Sequence, residues 1–148
     1  DLLKTRCVQS HKLLSAALSS GYGAQKVPDS VFQQLDFLNI MAYDAAGPWR
    51  PQDPGQHASL EFAKQSVDYF LMRGLKADKA NLGVPFYGYG FGQDFTPSGI
   101  SYRSIVQRFP QASSNDHVGN TIWYNGQATI RQKAEFVKAQ KLGGMMIW

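Results

Sequence analysis

Phe37-Leu38-Asn39-Ile40-Met41-Ala42-Tyr43 runs without a break into Asp44-Ala45-Ala46-Gly47-Pro48-Trp49. An apolar run ends in a phenol, a carboxylate, a Gly-Pro turn and a large aromatic, the form of a buried strand that delivers polar groups to the mouth of a site. The run is apolar at successive positions rather than alternating, as in parallel strands covered by helices. With a period of two, Asn39, Met41 and Tyr43 share one face.

Working outward, the same unit recurs. Upstream, residues 2–11 carry Leu2, Leu3 and Val8 at helical spacing, and Leu13-Leu14-Ser15-Ala16-Ala17-Leu18 reads as a short buried strand. Residues 21–28 read as a loop, and Asp29 as the cap of a short helix holding Val31, Phe32 and Leu35. Downstream, residues 50–57 form a loop with two prolines. Ser59 opens a helix with Glu61 in its first turn and Leu60, Ala63, Val67, Phe70 and Leu71 on one face; Gly74 ends it. A third strand spans residues 81–88, with Pro85 marking a strand end or a bulge. Ser101 to Phe109 predicts a short helix, residues 111–120 a polar loop, and Thr121 to Tyr124 a short strand running into a turn at Asn125-Gly126. Thr129-Ile130-Arg131-Gln132 has the form of a capping box for a last helix closed by Gly143 or Gly144, before a final strand, Met145-Met146-Ile147-Trp148. Alternation of helix and strand predicts an α/β fold with a parallel sheet, and an apolar strand at its edge predicts a piece of a larger sheet.

Bulk composition narrows the function classes. Apolar content of 43% with 18% charged residues argues against disorder, and no apolar run reaches the ~20 residues that span a bilayer. The net charge of +4 comes from basic residues that form no stripe (Lys12, Arg50, Lys64, Arg73, Arg103, Lys133); they read as a solvated surface rather than a nucleic-acid face. The single Cys7 reads as an inert thiol, and the three histidines lack metal-ligand spacing, so neither metal nor cofactor is expected. The first residues do not have the form of a charged-then-apolar leader, so any secretion signal is expected to be absent or removed. Polar groups instead gather after strand ends, at Tyr43, Asp44, Tyr87, Tyr89 and Trp148, the ligand-binding edge of parallel α/β folds. Four aromatics around one carboxylate point to a sugar-like ligand. Gly88-Tyr89-Gly90-Phe91-Gly92 is glycine-rich, but no helix follows it to hold a phosphate. Pattern alone leaves Met41 and Trp148 as either core or site residues, Tyr43 as buried or binding, and Asp44 as a turn cap or a site group. Trp49, in a loop, favours binding.

Three blocks, Met41-Ala42-Tyr43-Asp44 with Ala46-Gly47-Pro48-Trp49, then Leu82-Gly83-Val84-Pro85-Phe86-Tyr87-Gly88, then Gly143-Gly144-Met145-Met146-Ile147-Trp148, together resemble the family 18 glycoside hydrolases, the chitinases. The resemblance implies a (β/α)8 TIM barrel, with residues 1–148 as its fifth to eighth strand-helix units. In that reading the chain is the C-terminal half of a catalytic domain, truncated at both ends, with only a short segment before the last strand. The family motif D-x-x-D-x-D-x-E, whose glutamate is the general acid, is absent from the sequence. The chain alone is therefore expected to be inactive and aggregation-prone, and its partner to be the missing N-terminal half of the barrel. The implied reaction is substrate-assisted retaining hydrolysis of β-1,4-linked N-acetylglucosamine, with chitin or chito-oligosaccharide as ligand and a secreted location. By the same resemblance Tyr43 and Asp44 support catalysis, Tyr43 on the acetamido group and Asp44 at the cleavage subsites. Met41 and Tyr87 line the cleft, Trp148 floors it, and Trp49 stacks a sugar on the leaving-group side. Many relatives have arginine where this chain has Tyr89, so no salt-bridge role transfers there. The alternative is a non-catalytic, chitinase-like carbohydrate-binding protein.

Overall fold

The computed structural model describes residues 2–148. The chain runs α1 (Leu2–Gln9), β1 (Ser15–Leu18), α2 (Tyr22–Gln25), α3 (Asp29–Gln34), β2 (Phe37–Ile40), α4 (Leu60–Met72), β3 (Ala80–Val84) and β4 (Tyr87–Gly90). It continues through β5 (Ile100–Ser101), α5 (Tyr102–Arg108), β6 (His117–Val118), β7 (Ile122–Trp123), α6 (Gln127–Ala139) and β8 (Gly144–Ile147). The predicted strands pair in parallel and in chain order, β1-β2-β3-β8. A helix connects each to the next, which is the connectivity of an arc of a (β/α)8 barrel.

Period two sorts the sheet into two faces. Leu38, Ile40, Leu82 and Val84 point to the helix layer and are buried with Phe32, Val67, Phe70 and Val137. The opposite face, which is the inner face of a barrel, carries Asn39 beside Asn81, whose side-chain amides bond at 3.2 Å. Helix α4 forms as expected: Ser59 caps it by accepting from the Phe62 N–H at 3.0 Å, and Gly74 follows its end at φ +89°, a left-handed conformation that favours glycine.

Several local expectations are corrected. Residues 21–28 hold the short helix α2. Asp29 caps nothing: it lies in the first turn of α3 and pairs with Arg73 at 2.7 Å. Arg73 in turn lies over the Phe32 and Tyr69 rings and donates to the Ala24 and Val27 carbonyls, so it is a structural residue. Leu2, Leu3 and Val8 of α1 are exposed. The strand predicted through Gly88 ends at Val84, just before Pro85, with the Phe86 N–H still reaching the Trp148 carbonyl, and β4 starts a separate antiparallel sheet ordered β5-β4-β7-β6. That sheet and α5 make a small insert around Ile105, Ala112, Ile122 and Tyr124, where only a short segment was expected. Thr129 makes no capping box; α6 starts after Gly126, and Asp116 of the insert accepts from the Gly126 N–H and the Thr129 hydroxyl. Lys141, at φ +53°, ends α6 in the role foreseen for glycine, with the Leu142 N–H returning to the Val137 carbonyl.

Lys133, foreseen as part of the solvated surface, is fully buried. Its ammonium donates to the Ala58 carbonyl at 2.8 Å and to Asn125 Oδ1 at 2.7 Å. Burial pulls its pKa from 10.5 down to about 8, against the attraction of Asp116. Between those values the unfolded chain keeps a proton that the folded chain has released, so this group's contribution to stability rises with pH. The full span corresponds to about 3 kcal/mol. In urea denaturation, wild type is expected to gain stability relative to Lys133→Met from pH ~8 to ~10; tyrosine ionisation is common to both proteins and cancels in the difference.

Candidate functional site

The site is built at the ends of β2 and β4. The Met41 N–H still donates to Leu18 O at 2.9 Å, continuing the pairing with β1; then the Ala42 N–H turns back to Ile40 O at 2.9 Å, and the strand breaks. Two residues later Asp44 takes φ +66°, a left-handed conformation that aspartate tolerates better than most side chains. That turn brings its main-chain N–H within 3.4 Å of His57 Nδ1. Loop 45–57 is tied back by the Ala45 N–H to His57 O at 2.9 Å and by the Arg50 guanidinium to Ala45 O at 2.6 Å.

From the other side, β4 reads Tyr-Gly-Tyr-Gly, and period two separates its residues cleanly. Tyr87 and Tyr89 face Asp44, and both hydroxyls donate to its Oδ1, at 2.5 and 2.9 Å. Gly88 and Gly90 face the insert. A Cβ on Gly88 would stand 2.4 Å from Trp123 O, and one on Gly90 1.9 Å from Asp94 O, so only glycine allows this approach. His57, fully buried, packs against both tyrosine rings at 5.2 and 5.0 Å. Its Nδ1 lies 3.6 Å from Asp44 Oδ1, and no partner meets its Nε2 among the described residues. Nδ1 serves one contact at a time: without a hydrogen it accepts from the Asp44 N–H, and with one it donates to the carboxylate.

The electrostatics follow from this cage. Burial raises the Asp44 carboxyl, but its bonds with His57, Tyr87 and Tyr89 outweigh burial and hold it below the ordinary 3.8. Burial and the neighbouring carboxylate push the Tyr89 phenol up to about 12 and Tyr87 higher still, so both remain donors. Asp44 is therefore an anion and the tyrosines are neutral throughout the working range. Because the folded chain binds the Asp44 proton less readily than the unfolded one, this stabilisation is present above about pH 4 and is lost as pH falls below it. The stability gap between wild type and Asp44→Asn should accordingly narrow in urea titrations as the pH falls below about 4.

Asp44 stands between two clefts. One, of about 360 Å³, is lined by Ser19, Ser20, Met41, Tyr43, Asp44, Ala45 and Phe62. The other, of about 500 Å³, is lined by Asp44, Phe86, Tyr87, Tyr89, Gly99, Ser101 and Trp148. Tyr43 is nearly buried, edge-on to Tyr87 at 6.2 Å, and its hydroxyl has no partner among the described residues. Gly83 makes room for it, since a Cβ there would come within 3.0 Å of the Tyr43 ring. Trp148 is exposed, held by its main chain between Val84 O and the Phe86 N–H. Met41, Tyr43, Asp44, Tyr87 and Trp148 are thus brought together. Trp49 lines neither cleft; it folds over Gly47, packs edge-on to Tyr89 at 5.6 Å, and is half exposed.

One member of the cage, His57, was not singled out by the sequence, which offered only a histidine without metal-ligand spacing; Tyr89 was expected at the ligand-binding edge but with no specific role. A visible signal for Tyr89 was the alternation with glycine, which puts it on the face of Tyr87. For His57 the signal was its position just before the Ser59 cap, where a chain entering a helix is held in place.

Comparisons with known proteins bear on the fold and the family. A family 18 chitinase from the chitin utilization locus of Flavobacterium johnsoniae superposes with a TM-score of 0.89 at 38% identity, over 99% of this chain and 47% of that one. A chitinase from Bacteroides thetaiotaomicron does so with a TM-score of 0.82 at 30% identity, over 93% of this chain and 45% of that one. An uncharacterized glycosylase of Bacillus subtilis is 26% identical over 133 residues, 76% of this chain and 38% of that protein. The chain thus spans less than half the length of these relatives. The family model described as glycosyl hydrolases family 18 matches residues 2–148, and the chain belongs to that family.

Proposed function

We propose that this chain supplies the fifth to eighth strand-helix units of a secreted, chitin-binding barrel that hydrolyses β-1,4-linked N-acetylglucosamine polymers with retention of configuration. The observation that supports this reading is the anionic Asp44, caged by two tyrosine hydroxyls and set between two clefts, with the Tyr43 hydroxyl, unpartnered among the described residues, beside it. In substrate-assisted hydrolysis the acetamido oxygen attacks the anomeric carbon as the glycosidic bond breaks, and positive charge develops on the ring and the acetamido group. A fixed carboxylate stabilises that charge, and its surrounding dipoles need no reorganisation at the moment of reaction. Tyr43 donates to the acetamido oxygen and holds it under the anomeric carbon. Met41 and Tyr87 close the walls, Trp148 offers an apolar face to the sugar ring, and Trp49 extends the platform on the leaving-group side. The acid that protonates the leaving oxygen belongs to a segment N-terminal to this chain, because neither Glu61 nor Glu135 lies in the family's acid motif.

The test is turnover of a fluorogenic chitobioside. The complete protein should release the fluorophore, and residues 1–148 alone should not. Turnover by the 148-residue chain would overturn the placement of the acid. Binding of chito-oligosaccharide by the complete protein without turnover would replace the enzyme reading with the carbohydrate-binding alternative.

A further inference from the structure

Behind the Asp44 cage, where α6, the insert and loop 45–57 meet, lies a second polar cluster that the proposed reaction does not use. The Ala58 carbonyl accepts from Lys133 Nζ at 2.8 Å and from Asn125 Nδ2 at 2.9 Å, while Asn125 Oδ1 accepts from Lys133 at 2.7 Å. The Ala58 N–H is bound by Gln56 Oε1 at 3.0 Å, and the Gln56 amide donates to Tyr124 O at 2.6 Å. Both main-chain groups of Ala58 are therefore fixed, one residue beyond His57. The His57 carbonyl is fixed too, by the Ala45 N–H at 2.9 Å. Among the described residues the imidazole has no comparable anchor of its own: its Nε2 is unpartnered, and its Nδ1 contacts to Asp44 are long, at 3.4 and 3.6 Å.

We propose that Lys133 is a positioning residue for Asp44, acting through the Ala58 carbonyl and His57; the catalytic part of this rests on the function proposed above. A buried lysine is a costly filler, and a methionine of similar length would occupy the same space with no desolvated charge. A methionine removes one of the two donors to the Ala58 carbonyl and leaves Asn125 Oδ1 without its donor, so the amide that still holds that carbonyl is itself no longer anchored. With both lysine bonds lost, the Gln56-His57-Ala58 segment can shift, and contacts already near the limit of hydrogen bonding break with a movement of a few tenths of an ångström. Asp44 then loses the ring that backs its N–H and its carboxylate, and misplacement of a catalytic group costs rate more than ground-state binding.

The experiment compares Lys133→Met with Val137→Ala in the complete protein. Val137 lies one turn along α6, buried in the helix-facing core, and has no polar contact with loop 45–57. Lys133→Met should lower kcat on the chitobioside by about tenfold or more, with KM within about threefold. Val137→Ala should lower Tm while leaving kcat unchanged. A Lys133→Met protein with kcat within about twofold of wild type overturns the proposal, as does an equal loss of kcat in Val137→Ala. A second readout needs no activity: in ¹⁵N-histidine spectra the His57 ring nitrogens should shift in Lys133→Met and not in Val137→Ala. If the complete protein proves not to be a chitinase, the His57 spectrum alone decides, and unchanged resonances overturn the positioning role. Should Lys133→Met not fold, Asn125→Ala takes its place, with a His57 shift again expected and its absence counting against the proposal.

Discussion

Replacing Asp44 by asparagine in the complete protein is expected to lower kcat/KM on a chito-oligosaccharide by about 10²- to 10³-fold, the scale for loss of one preorganised electrostatic group. Asparagine is the informative substitution. It keeps an oxygen for the Tyr87 and Tyr89 hydroxyls, and it tolerates the left-handed backbone at φ +66°. What it removes is the charge. Alanine would remove the acceptor as well and strain the backbone by about 1–2 kcal/mol, so a loss in Asp44→Ala would mix three causes. Initial rates over a substrate series separate the effects: loss of charge stabilisation falls on kcat, whereas loss of ground-state contact falls on KM. Wild-type kcat in Asp44→Asn would mean that the caged carboxylate is structural.

The largest stability effect is expected at Gly90. A Cβ there would lie 1.9 Å from the Asp94 carbonyl oxygen, a main-chain atom that cannot swing aside. Relieving that clash separates β4 from its neighbours, at a cost of about 3 kcal/mol or more. In a domain of about 150–250 residues that corresponds to a fall in Tm of roughly 6–12 °C, and to a smaller fall in a larger one. Because Tyr89 precedes Gly90 on the same strand, Gly90→Ala should also lower activity by moving one of the two Asp44 donors. Gly55→Ala is the control: nothing lies within 4 Å of a Cβ at that position, and its Tm should match wild type. A Gly90→Ala protein that melts with wild type would show that the insert packs on β4 differently.

The parallel sheet was legible because its signals are strong and local. Apolar runs end at polar tips, Ser59 caps a helix with a clear apolar face, and Pro85 marks the place where β3 stops. The insert was legible only in part: the helix expected at Ser101–Phe109 and the strand at Thr121–Tyr124 are present as α5 and β7, but three of its strands are two residues long, too short to show a period of two. Their pairing is fixed by long-range packing around Tyr124, whose hydroxyl bonds Ala112 O. Thr129 misled for a related reason: its hydroxyl bonds Asp116 from a distant loop, and a local capping motif cannot reveal such a partner. Lys133 did leave a trace. It lies four residues after Thr129 and four before Val137, on the buried face of α6, and a charge on an apolar stripe points to a fixed partner within. Likewise Tyr43 and Asp44 were visible as a strand tip, while His57 emerged only when loop 45–57 folded back beneath them.

The most direct measurement compares N-acetylated chito-oligosaccharide with its fully deacetylated counterpart of equal length, as kcat/KM of the complete protein. If Tyr43 and Asp44 hold an acetamido group that acts as the nucleophile, removing that group removes the reaction itself, and a preference of about 10³-fold or more is predicted. Comparable hydrolysis of the two would contradict the account, because the nucleophile would then have to come from the protein or from water.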